Sequence, residues 1–187
     1  MTEGERPGSE PRRVPAFTIR VGYERWMKTP ILEYQGDPLY EIPIKGHIQL
    51  EFEGRSPLQP GRHRVQENGA IGSVPVVPFL WDVVASCRRL SQASPSREVV
   101  RVMTTEYSLE FERDGDVVVV RLVATDEPGA PALAETRVGT QELNKEIAEA
   151  ASVVLGRIRV LNPETRGNLP LKGLADSIEA LSKSVVG

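Results

Sequence analysis

A cluster of basic side chains in one loop-like segment is the densest positive charge in the chain. Residues 54–72 are rich in Gly and Pro, and they contain Arg55, Arg62, His63 and Arg64. Arginine and protonated histidine donate charge-assisted hydrogen bonds to carboxylates and phosphates. We therefore predict contact with an acidic protein surface or an anionic ligand, with a solvated loop as the simpler interpretation. Few aromatic residues accompany the cluster, which argues against stacking on single-stranded nucleic acid.

A second group of residues has the composition of a protein–protein contact. Tyr23, Trp26 and Met27 lie close together in sequence, with Arg25 among them. Aromatic residues, Met and Arg are enriched in interfaces and their hot spots, so we predict that these side chains anchor a partner protein. A place at the edge of the core is the alternative, and it is the simplest interpretation of Trp81 as well.

The residues that most often perform catalysis or hold metals are sparse and badly spaced. The chain has two histidines, His47 and His63, and neither has the spacing of a zinc site. Alternation along a strand places His47, Glu51 and Glu53 on one face, where an exposed polar surface is the expected outcome. Cys87 falls on the apolar stripe of a predicted helix and is expected to be a buried hydrophobe. We predict no catalytic residue, no metal and no cofactor, and hence a protein that is not an enzyme.

Length and composition indicate one ordinary soluble domain. The chain has 187 residues, 40% of them hydrophobic, one cysteine and a net charge of −3. No stretch approaches the roughly 20 apolar residues of a membrane span, and no secretory signal is evident, so we expect a cytoplasmic protein without a membrane partner. Mixed charge argues against a nucleic-acid partner. We predict a disordered tail over 1–15, one domain over 16–161, and a linker with a C-terminal helix over 162–187.

Alternating apolar residues predict a sheet. Phe17, Ile19 and Val21 form a first strand, and a longer strand or strand pair runs over 39–52. A hairpin follows at 107–123, turning at Asp114-Gly115, where positive φ is favoured. Its second strand carries four consecutive valines, which indicates a central strand buried on both faces. Residues 133–138 add a short strand.

Apolar residues at three- and four-residue spacing predict helices near 76–91 and 140–160. Thr140 is a plausible N-cap of the second. Leu171, Leu174, Ile178 and Leu181 indicate a short final helix that packs poorly or forms a tail. Together these elements predict an α+β fold: a mostly antiparallel, twisted sheet with the two main helices on one face.

The order of these elements resembles small bacterial immunity-type proteins encoded beside polymorphic toxins. The resemblance lies in GHIQLEFEG, PFLWDVVASCRRL, YSLEFERDGDVVVVRLVA and TQELNKEIAEAASVVLGRI, over about residues 40–161. It implies a non-enzymatic fold that covers a toxin's active site. The weak net charge departs from the more acidic examples of this class.

These observations predict a protein-binding domain that recognises one partner, either immunity-like or accessory. One alternative is a structural subunit that forms a homo-oligomer through the Val117–Val123 sheet edge or the final helix. Another is a small-molecule-binding domain or an enzyme with a pocket between helix and sheet, in which the His47/Glu51 face or Cys87 acts.

Overall fold

The fold is described from a computed structural model over seven stretches of the chain, residues 14–23, 45–61, 64–92, 96–103, 105–125, 131–161 and 169–184. Several predictions fall outside these residues. They concern the tail over 1–13, the first part of the strand run over 39–44, the linker over 162–168, and four of the predicted partner contacts, Trp26, Met27, Arg62 and His63.

The first three strands form an antiparallel sheet in the order β1-β2-β3. They span Phe17–Tyr23, Lys45–Phe52 and Ile71–Pro75. Ile19 lies opposite Leu50 in the β1–β2 register, and both side chains are buried. The alternation seen in the sequence therefore directs one face of this sheet into the core.

The other four strands form an antiparallel meander in the order β4-β5-β6-β7. They span Arg97–Arg101, Tyr107–Asp114, Val117–Ala124 and Ala134–Gly139. The predicted hairpin is present, and Gly115 takes a φ of 64° in its two-residue turn. Val118, Val119 and Val120 are all buried, and β6 lies between β5 and β7. The prediction of a central strand is confirmed.

Two long helices connect and cover the sheets. Helix α1, Val76–Leu90, begins directly after β3, and α2, Thr140–Leu161, begins directly after β7. The fold is α+β, as predicted. The strands form two sheets, with α1 between β3 of the first and β4 of the second along the chain. Thr140 ties α2 to the hairpin turn, since its hydroxyl donates to the Asp116 carbonyl at 3.0 Å.

The C-terminal helix α3, Leu169–Lys183, packs against both α1 and α2. All four residues of its predicted apolar stripe are buried in the same core cluster as the sheets. The Asn144 amide joins the three helices: it donates to Ser91 Oγ after α1 at 2.8 Å and to Ser184 Oγ after α3 at 3.3 Å. The final helix is therefore part of the packed structure.

Candidate functional site

The described parts of the 54–72 segment fold back onto the core. Ser56 Oγ donates to the Gly69 carbonyl at 3.1 Å, and the Gly72 amide donates to the Arg64 carbonyl at 2.8 Å. Leu58 and Val65 are buried. The segment is thus an ordered surface feature over residues 54–61 and 64–72.

Two of the four predicted basic contacts can be placed. Arg55 follows β2 in a bridge with Phe52, and Arg64 has a φ of 62° in the left-handed region. Both are exposed. Among the described residues neither takes part in an ion pair, so each guanidinium is available to an external acidic group.

Tyr23 is the one member of the predicted apolar group within the described residues. It ends β1, opposite Gly46. This position is informative because the same strand lines a groove that the sequence does not predict.

The groove lies between β1 and α2 and has a volume of about 390 Å³. Four consecutive residues of β1 line it, and successive strand residues point to opposite faces, so the groove follows the edge of the strand rather than a face. The opposite wall is a stripe of α2 residues three and four apart. The lining residues are Thr18, Ile19, Arg20, Val21, Glu146, Glu149, Ala150, Val153, Val154 and Arg157.

The edge of β1 that faces away from β2 has no strand neighbour in the described part of the chain. The Glu53 amide donates to the Ala16 carbonyl at 2.8 Å, so Ala16 and Glu53 form a hydrogen-bonded pair of the antiparallel ladder. Hydrogen-bonded and non-hydrogen-bonded pairs alternate along such a ladder. By that alternation, Thr18 and Arg20 direct their backbone groups toward β2. Ile19 and Val21 direct theirs to the free edge.

Charged groups stand at the two ends of the α2 wall, with an apolar stretch between them. Glu146 and Glu149 lie at the N-terminal end, where Lys145 Nζ is 3.9 Å from Glu149 Oε1, and Arg157 lies about three turns beyond Glu146. Burial and the neighbouring Glu149 carboxylate raise the pKa of Glu146. Over the described residues Arg157 has no ion-pair partner. In the middle, Val153 is 54% exposed.

Cys87 and His47, the residues considered for catalysis or metal binding, lie outside the lining of this groove. Burial, with a smaller contribution from Glu98, raises the pKa of the Cys87 thiol to about 12, so it holds its proton. The His47 imidazole covers Gly22 of β1, where a β-carbon would lie 1.9 Å from Nε2. No group of three metal-ligating side chains comes together within the described ranges.

The structure also shows the surroundings of the Val117–Val123 strand, which was considered for self-assembly. The Val117–Val123 strand is hydrogen-bonded to β5 on one side and β7 on the other. It offers no free edge, so the prediction of oligomerisation through that edge is wrong. The cause is its central position in the meander.

A second, smaller groove of about 330 Å³ separates α2 from α3. It is lined by Ser152, Leu155, Gly156, Arg159, Ala175, Ile178, Glu179 and Ser182. Beyond it, Val160 is 78% exposed.

No protein-family model matches this chain, and comparisons with curated proteins and with solved structures gave no match either. Among the helices in the described ranges, none has the length and apolar character needed to cross a membrane.

Proposed function

We propose that this chain is a protein-binding domain without catalytic activity that recognises one partner protein. The observation that carries the proposal is the groove between β1 and α2. It combines a β1 edge that no other described strand pairs with, an exposed valine and charged groups at its ends, and apolar centres with polar rims are typical of protein interfaces.

The exposed guanidinium groups of Arg55 and Arg64 supply a second contact for the partner. They lie on an ordered segment that is hydrogen-bonded to itself and packed on the core. Side chains held on a fixed backbone lose less freedom on binding than side chains on a mobile loop. Acidic groups on the partner fit these positions.

The resemblance to immunity-type proteins supports a narrower form of the proposal. In that form the partner is a toxin, and binding covers its active site. The accessory form has a subunit of a complex as partner.

Reconstitution with an identified partner tests this function. Full-length protein is used as bait in a lysate of the source cells, captured proteins are identified by mass spectrometry, and each candidate is purified and titrated with the bait. We expect one partner with a fixed stoichiometry. If that partner arrests growth when expressed alone, co-expression of this chain should relieve the arrest in the immunity-like form.

The matched variants are Arg55→Glu with Arg64→Glu, and Arg101→Glu as the control. Arg101 is an exposed arginine at the end of β4, outside the segment and the groove. We expect the double substitution to weaken the complex and the control to leave it unchanged. Substitution is preferable to deletion because Leu58, Val65 and Ile71 are core residues. Absence of any stoichiometric partner, together with thermal stabilisation by a metabolite or nucleotide, would overturn the proposal.

A further inference from the structure

We propose that the groove binds an extended segment of the partner, which adds to the three-stranded sheet as a new strand beside β1. This inference rests on the proposed function and specifies its chemistry. The partner segment carries a basic side chain near Glu146 and an acidic side chain near Arg157.

The first argument is the hydrogen-bonding capacity of the β1 edge. Ile19 and Val21 direct their amide and carbonyl groups away from β2, because the Ala16 carbonyl accepts from Glu53 and the ladder alternates from there. Both residues line the groove. An incoming strand satisfies these groups and receives affinity from main-chain hydrogen bonds, while side-chain pockets give specificity.

The second argument is the length and charge of the opposite wall. Glu146 and Arg157 are eleven residues apart on one helix face, which corresponds to about 16 Å. An extended peptide spans that distance with about five residues. Because alternate side chains of a strand point to the same face, the charges on the two ends of α2 select a segment with a basic and an acidic residue about four or six positions apart, and they set its direction.

The third argument is the apolar middle of the groove. Val153 is 54% exposed and lies between the charged ends. A β-branched or aromatic side chain of the incoming strand covers it. Removal of this apolar surface from water adds to the main-chain hydrogen bonds.

Selection from a phage-displayed library of random linear peptides, with the full-length chain as bait, provides the probe. We expect enriched peptides with alternating β-branched residues and the basic–acidic spacing. The best peptide is then labelled and titrated by fluorescence anisotropy against the variants.

The decisive pair of variants is Val21→Pro and Val21→Ala. Proline removes the outward amide while the ladder to β2 keeps its bonds, and proline is tolerated on edge strands. We expect Val21→Pro to weaken peptide binding about tenfold, as for the loss of one hydrogen bond, and Val21→Ala to have a much smaller effect. Circular dichroism checks that both variants are folded.

A charge exchange keeps the test decisive if Val21→Pro does not fold. Arg157→Glu should weaken binding, and a peptide whose acidic residue is replaced by lysine should recover it. Arg101→Glu serves as the control and should have no effect. Hydrogen exchange should show that the peptide protects the amides of Ile19 and Val21, with no added protection of Thr18 and Arg20.

Strand addition at β1 is overturned if no peptide is enriched, if peptide binding ignores both Val21→Pro and Arg157→Glu, or if protection appears elsewhere. It is also overturned if sedimentation shows a dimer that Val21→Pro dissociates, since a second copy of the chain then fills the edge. The partner titration described above is independent of the peptide. A stoichiometric partner that binds Val21→Pro as well as it binds the unchanged protein would leave the proposed function standing and remove only this inference.

Discussion

Gly173 of α3 lies directly against the indole ring of Trp81 on α1, so close that a β-carbon at Gly173 would be 2.7 Å from Cη2. The partly buried indole packs against the core, so a side chain at Gly173 would force the ring or the helix to shift. The contact explains why a residue with poor helix propensity stands inside a helix: α1 and α3 can approach only where one of them lacks a side chain.

Gly173→Ala is expected to destabilise the protein. Alanine is preferred to glycine inside a helix by about 1 kcal/mol, but an extra carbon in a filled space costs about 1–3 kcal/mol. Since the indole is rigid, we expect the packing cost to exceed the helical gain. Urea unfolding gives the difference in free energy.

Two further variants separate propensity from packing. Gly156→Ala on α2 has no atom within 4 Å of the new carbon and should stabilise the protein by about 1 kcal/mol. In a Trp81→Leu background, the effect of Gly173→Ala on the free energy of unfolding should change sign, so that the substitution becomes stabilising. A destabilising effect that persists in this background would contradict the contact.

The carboxylate of Glu98 makes stability depend on pH. Arg89 donates to both of its oxygens, at 2.8 and 2.6 Å, and Ser86 Oγ donates to one at 3.2 Å. The hydrogen bonds from Arg89 lower the pKa of Glu98, with a smaller contribution from Ser86. Because the folded pKa is depressed, the stabilisation is present above the unfolded value of about 4.3 and is lost as the pH falls through the folded pKa.

Glu98→Gln should therefore destabilise the protein at neutral pH by about 1 kcal/mol, the upper end for a solvent-accessible pair. The difference from the unchanged protein should disappear in strong acid, where Glu98 is protonated. Urea midpoints across the pH range provide the measurement. A difference that stays constant with pH would show that the carboxylate charge is irrelevant.

Cys87 should be unreactive in the folded protein. Its side chain is buried and its pKa is about 12, while only the thiolate attacks a disulfide reagent. We expect labelling by an aromatic disulfide at the rate of unfolding, independent of reagent concentration when the reagent is in excess. Rapid labelling at neutral pH, proportional to reagent, would restore Cys87 as a candidate nucleophile.

Glu146 should oppose folding at neutral pH. Burial and the Glu149 carboxylate raise its pKa, so its charged form is disfavoured in the folded protein and the penalty is relieved as the pH falls through the folded pKa. Glu146→Gln should stabilise the protein at neutral pH by about 0.2–0.5 kcal/mol, as for removal of a like-charge pair on a helix. The gain should vanish at low pH.

Glu142→Gln is the control on the same helix, with the opposite sign. Glu142 lies in the first turn of α2, where a negative charge interacts favourably with the helix dipole by about 0.3–1 kcal/mol. Removal of this charge should destabilise the folded protein. Equal effects of the two substitutions would show that their positions on the helix do not matter.

Local patterns in the sequence predict much of the fold. The spacing of Leu80, Val83, Val84 and Cys87 predicts the buried face of α1 because side chains three and four apart share a helix face. Asp114-Gly115 predicts the hairpin because glycine accepts a positive φ. The four valines predict a strand with neighbours on both sides. Each signal is contained within a few consecutive residues.

The division into two sheets and the groove are absent from local patterns because both depend on distant pairings. Val21 and Val153 are far apart in sequence, and neither local sequence predicts that the two residues line one groove. Val153 lies off the apolar stripe of α2, which runs through Leu143, Ile147, Ala151 and Val154, but a single exposed apolar residue is common on a protein surface and does not by itself indicate a groove.

The separation of β1 from α2 along the chain has a consequence for synthesis. The ribosome makes β1 before every other described element, yet the helix that walls its edge emerges only after all seven strands. The meander from β4 to β7 closes through neighbouring hairpins, whereas β1 can pair with β2 early but packs against α2 only after the rest of both sheets has been made, and such long-range closure is slow. We therefore expect the nascent chain to leave the outer edge of β1 uncovered by α2 until that helix has been synthesised.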